Sequence, residues 1–117
     1  MMPEENKKVT DLRYLKGLAE GNKEFIESMI TAFLTENPNE ISEVEKGISE
    51  QDYSLIRSGA HRMRSTIPFV GIDSIIGDAV SEIEELAKMK QNLLRIKTLF
   101  ARVKEICSQA SAELVSL

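Results

Sequence analysis

"NLLRIKTLFARVKEICSQA", residues 92 to 110, carries apolar side chains at Leu93, Ile96, Leu99, Phe100, Val103, Ile106 and Ala110. Steps of three and four put them on one face of an α-helix, because a turn takes 3.6 residues, whereas a half-buried strand alternates every second residue. Asn92 stands where an N-cap belongs. Cys107 is the only cysteine and lies in the same register, so it reads as a small core residue without disulfide partner, suited to a reducing compartment.

The pattern repeats toward the N-terminus. Asp73, after a turn at Gly71, starts a helix with Ile76, Ala79, Val80, Ile83, Leu86 and Ala87 inward. Asp52 caps another, whose inward positions are Ile56, Ala60, Met63, Ile67 and Val70. Asn22 opens a third with Ile26, Ile30 and Phe33 on one face, interrupted by "TENPNE" at 35 to 40. There Asn37 as N-cap, Pro38 at the first helical position and Glu40 three residues after the cap form a helix-start signature. The stripe continues through Ile41, Val44 and Ile48, and the pattern leaves open whether Pro38 breaks the rod or kinks it. Thr10 or Asp11 can cap a short first helix carrying Leu12, Leu15 and Leu18 and stopped at Gly21. Residues 1 to 8, polar and mixed in charge, read as a disordered leader, and residues 9 to 117 as one helical domain.

Short connections join antiparallel neighbours, so the expected fold is all-α: an antiparallel up-down four-helix bundle with an additional short N-terminal helix. A chain of 117 residues can bury such a core without staples. The formal net charge of -4 argues against general nucleic-acid binding, since a phosphate backbone rewards a basic surface. No apolar run approaches the roughly 20 residues of a membrane span, and the N-terminus does not read as a signal peptide. A soluble, cytoplasmic monomer is expected, its apolar faces being used within the bundle.

His61 is the only histidine. One residue past inward Ala60 is a rotation of about 100°, which turns the imidazole to solvent. Arg57, Ser58, Arg64 and Ser65 lie three or four residues away, and Pro68 two turns on at nearly the same azimuth if the helix runs that far. That face reads as two cations, two hydroxyls and little acid around one titratable nucleophile. The arginines disfavour an imidazolium and favour a phosphorylated ring, whose roughly two negative charges a guanidinium can hold. Pro68 can equally end the helix before Gly71.

"AHRMRSTIPFVG", residues 60 to 71, resembles the phosphoacceptor segment of histidine-containing phosphotransfer (HPt) domains of two-component phosphorelays, which reads broadly A-H-x-L-K-G-S-S-x-x-x-G. Ala60, His61, Met63, Arg64 and Gly71 match it. The likeness extends over roughly residues 11 to 115, through "FLTENPNEI" at 33 to 41 and the acidic-aromatic pair Asp52-Tyr53. It implies a phosphocarrier rather than an enzyme. His61 would accept a phosphoryl group from a receiver-domain aspartate and pass it to another, with Arg64 steadying the phosphoryl oxygens. Arg57 is added to that role on physical grounds, and Ser65, standing where the family has glycine, can hydrogen-bond the same group. Implied partners are response-regulator receiver domains and a hybrid sensor histidine kinase, docking near Ser58, Pro68, Met29 and Phe25. No cofactor is expected on this chain, Mg2+ belonging to the receiver.

The alternative is a helical adaptor in which His61 does no chemistry, since bundles host many functions. A carboxylate-bridged metal enzyme needs an inward Glu-x-x-His pair on each of two helices, which one histidine preceded by Ser58 cannot supply. A helix-turn-helix DNA binder is disfavoured by the acidic balance.

Overall fold

Among the described residues five α-helices follow one another, α1 (Arg13–Ala19), α2 (Lys23–Glu50), α3 (Tyr53–Thr66), α4 (Asp73–Lys88) and α5 (Leu93–Val115), with a 3-10 turn at Ile67–Val70. The computed structural model describes residues 8–117, so the expected leader lies outside the described residues except for Lys8. No strand occurs among the described residues, and no helix there is long and apolar enough to cross a membrane.

Side-chain caps fix three of the helix starts. Asn22 Oδ1 accepts the Phe25 N–H at 3.1 Å, Asp52 Oδ1 those of Ser54 and Leu55 at 3.0 and 3.2 Å, and Asn92 Oδ1 that of Arg95 at 3.2 Å. Each satisfies an amide that the helix itself leaves unpaired. At α1 neither candidate is the N-cap, a position held by Leu12 without a side-chain bond. Asp11 accepts the Arg13 N–H, whereas Thr10 turns to α5, where its N–H and hydroxyl both donate to Glu113.

The inward residues of α3, α4 and α5 form one core with Phe33 and Val44 of α2. Around it α2 packs on α3, α3 on α4, α4 on α5, and α5 returns to α2; α1 lies across α2 and the 3-10 turn. Leu15 and Ala19 bury α1, while Leu18 is exposed. Gly47 and Gly59 let α2 and α3 approach closely: a Cβ at Gly59 would stand 2.6 Å from Val44 Cγ2.

The helix-start signature at Asn37 starts no helix. α2 runs unbroken from Lys23 to Glu50 with Pro38 inside it. In one continuous register Phe33, Asn37, Glu40, Val44 and Gly47 all face inward and are buried. Asn37 therefore cannot cap. Its Nδ2 donates to Cys107 Sγ at 3.5 Å, and Glu40 accepts the Thr66 hydroxyl at 2.9 Å. Tertiary partners for both polar groups outweigh the local signal. Burial pushes the Glu40 carboxyl above its ordinary value of 4.5, against the pulls of the Thr66 hydroxyl, the Arg62 charge and the Asn37 amide. Burial likewise lifts the Cys107 thiol to about 11, so it stays protonated and unreactive.

Candidate functional site

Ile56, Ala60 and Met63 hold the inner face of α3 in the core, and His61, one residue off that stripe, stands out from it. Its side chain is 69% exposed. The expected display of the ring is thus present in the structure, but its surroundings differ from a face with little acid. Glu84 reaches over from α4 and takes both α3 groups: His61 Nδ1 lies 2.8 Å from Glu84 Oε2, and Arg64 Nη1 donates to Glu84 Oε1 at 2.9 Å. The single-helix reading could not see this acid, which comes from another element 23 residues on.

Glu84 is only 14% exposed. Burial by itself raises its pKa, but hydrogen bonds from Arg64 and His61, with their charges, outweigh that and leave the carboxyl below its ordinary 4.5. It is therefore ionised at neutral pH and has no proton to give. The hydrogen at the 2.8 Å contact thus sits on His61 Nδ1. Nε2 makes no protein hydrogen bond among the described residues.

A shallow hollow beside the ring is lined by Ser54, Arg57, Ser58, His61, Arg62 and Glu84. The three arginines of α3 differ in what they hold. Arg64 is paired with Glu84, and Arg62 Nη2 with Glu43 Oε1 at 2.6 Å. Arg57 has no ion pair or hydrogen bond among the described residues. Ser58 and Arg57 thus share the hollow with His61, while exposed Ser65 is not part of its lining.

Pro68 does not share the histidine's azimuth. α3 ends at Thr66, and Pro68 sits in the 3-10 turn, lining a separate groove with Asp11, Arg13, Tyr14, Gly71, Asp73 and Ser74. Of its two sequence readings, the helix-ending one is what the chain adopts. Phe25 and Met29 are half-buried near the start of α2 and line neither hollow.

Glu84 did carry a sequence signal. It lies four residues after Val80 and three before Ala87, both buried, so a charge occupies an apolar register. Such a position needs a partner across the helix interface, and that partner is His61 with Arg64. No group of three or more His, Cys, Asp or Glu among the described residues is placed to hold a metal ion. Compared with protein-family models, with curated proteins and with solved structures, the chain matches none.

Proposed function

We propose that the protein is a phosphocarrier of the HPt type, taking a phosphoryl group on His61 Nε2 from a receiver aspartate and handing it to another. The observation that carries this reading is the Glu84–His61 contact, which places a hydrogen on Nδ1 and so directs the lone pair of the neutral ring to Nε2. The Nε2 lone pair attacks the phosphorus of an aspartyl phosphate, the P–O bond breaks and the aspartate leaves as a carboxylate. The Nδ1 proton stays in place. The ring becomes cationic, and the ionised Glu84 beside it opposes that charge at a distance of one hydrogen bond.

The finer architecture belongs to the same reading: α2 to α5 as an antiparallel up-down four-helix bundle, with α1 as the additional short helix. The circuit of packing from α2 through α5 supports it, as do the two-residue link at Gln51 and Asp52 and the four-residue link from Met89 to Asn92. In this proposal a receiver domain, bringing its own Mg2+, docks over the exposed face of α3 in a cytoplasmic relay fed by a hybrid sensor kinase.

Incubation with a phosphorylated receiver tests the reading. Acid-labile, base-stable phosphate should appear on the parent protein and not on His61→Gln. No label on the parent with a panel of receivers, or equal label on the variant, returns the protein to a helical adaptor without phosphate chemistry.

A further inference from the structure

We infer that the phosphoryl group on His61 is received on the N-terminal side of the ring, in the hollow framed by Ser54, Arg57 and Ser58, with Arg57 rather than Arg64 as its counter-ion. The inference rests on the phosphocarrier reading and assigns the oxygens of the transferred group to a place in the fold.

Three observations carry it. The first is direction. Side chains on an α-helix lean toward its N-terminus, which carries the imidazole of His61 toward the turn that bears Arg57 and Ser58, and all three residues line the same hollow. The second is commitment. Arg64 is held by Glu84 and Arg62 by Glu43, whereas Arg57 has no carboxylate to release before it turns to a new anion. The third is complementarity, since the same hollow collects the Ser54 and Ser58 hydroxyls, which make no hydrogen bond of their own among the described residues. One guanidinium and two hydroxyls suit the three oxygens of a phosphoryl group.

Arg64 then has a different task. By pairing with Glu84 it offsets a carboxylate that would otherwise repel an incoming dianion, and it holds the carboxyl that sets the His61 tautomer. It is a positioning residue, and Arg57 is the ligand of the phosphoryl group.

Phosphoramidate provides a partner-independent test. The Nε2 lone pair attacks its phosphorus, the P–N bond breaks, and ammonia leaves from the zwitterionic donor without further proton transfer, while Nδ1 keeps its hydrogen. A pH titration by 31P NMR then reads the phosphoryl group on His61 directly. A nearby guanidinium lowers its titration midpoint, so Arg57→Gln should move that midpoint up by roughly half a pH unit, the scale of one exposed charge pair. Ser65→Ala should leave it in place. Arg64→Gln should move it by less than Arg57→Gln, and should also shift the imidazole 15N resonances of the unphosphorylated protein as the hold on Nδ1 loosens. A midpoint that follows Arg64 and ignores Arg57 overturns the inference while leaving the carrier intact. A parent that takes up no phosphate at His61 overturns both.

Discussion

Substituting alanine for glycine inside a helix ordinarily stabilises it by about 1 kcal/mol, because glycine loses more backbone entropy on folding. At Gly47 the sign should reverse. A Cβ there would lie 2.7 Å from Ile56 Cγ1, 2.8 Å from Ile56 N and 2.9 Å from Asp52 O. Two of these are backbone atoms in the capped first turn of α3, so no rotamer change relieves the contact and α3 must move off α2. Overpacking of this kind costs about 1–3 kcal/mol, which after the propensity gain leaves a net loss of up to about 2 kcal/mol. With an unfolding entropy of about 2.1 cal/mol/K per residue over 117 residues, 1 kcal/mol corresponds to about 4 °C, so Gly47→Ala should melt below the parent by up to about 8 °C. Gly17 supplies the control: it is also helical, and a Cβ there meets nothing within 4 Å. Gly17→Ala should gain up to about 1 kcal/mol. Thermal unfolding followed by circular dichroism and calorimetry checks the pair. If Gly47→Ala melts at or above the parent, the close approach of α2 and α3 is not as described.

Three further outcomes follow from the buried and clamped acids. Glu40→Gln keeps an oxygen for the Thr66 hydroxyl but removes a carboxyl that burial holds above its ordinary 4.5. It should raise the melting temperature at pH 7 and change it little well below pH 4.5, where the parent's carboxyl is protonated in both states. Glu113 accepts N–H bonds from Val9 and Thr10 and the Thr10 hydroxyl; burial raises its pKa, but these bonds and one from Gln109 bring it below 4.5. Glu113→Ala should therefore speed hydrogen exchange at the Val9 and Thr10 amides with little effect on core amides of α5, and acidification of the parent below its folded pKa should do the same. Glu84→Ala should release His61 Nδ1, which imidazole 15N spectra would register as a change from the Nδ1–H form toward a mixture of tautomers; an unchanged spectrum would remove the basis for an Nε2 nucleophile.

Most of the helical pattern was legible because periodicity reports burial directly. Ile96, Val103, Ile106 and Ala110 on α5, and Ile76, Val80 and Ile83 on α4, are where a 3.6-residue repeat puts them. The caps at Asn22, Asp52 and Asn92 were legible for a similar reason, since their partners lie within three residues. What failed was the local signature that competes with a distant contact. Asn37, Pro38 and Glu40 spell a helix start, yet Cys107 lies 70 residues from Asn37 and Thr66 lies 26 from Glu40. Their inward register between Phe33 and Val44 was the better guide, because it requires one continuous rod. The site divides in the same way. The exposure of His61 follows from the inward set of Ala60, but Glu84 enters from α4 and reverses the expected shortage of acid, and the end of α3 at Thr66 carries Pro68 away to another groove.

Glu40 and Glu84 both occupy apolar registers of their helices, and their pKa values move in opposite directions for a reason that separates core from site. Glu40 is 2% exposed, its hydrogen-bonded hydroxyl brings no charge and the pull of the Arg62 charge does not offset burial, so the proton is held more tightly. Glu84 sits at the rim between α3 and α4, where a guanidinium and an imidazole N–H both donate to it, and burial loses. The folded protein thus binds more protons than the unfolded chain at Glu40, and stability from that group falls as pH rises past 4.5 toward the raised value. At Glu84 it binds fewer; its contribution is present above 4.5 and disappears as pH falls through the lowered value. Around neutrality the carboxyl that strains the interior and the carboxyl that orients His61 are therefore separable by mutation. Glu40→Gln should firm the packing of α2 against α3 with the His61 tautomer unchanged, and Glu84→Gln should disturb the tautomer with the core intact. A protein in which either substitution produced both effects would have its histidine governed by the core and not by the rim carboxylate.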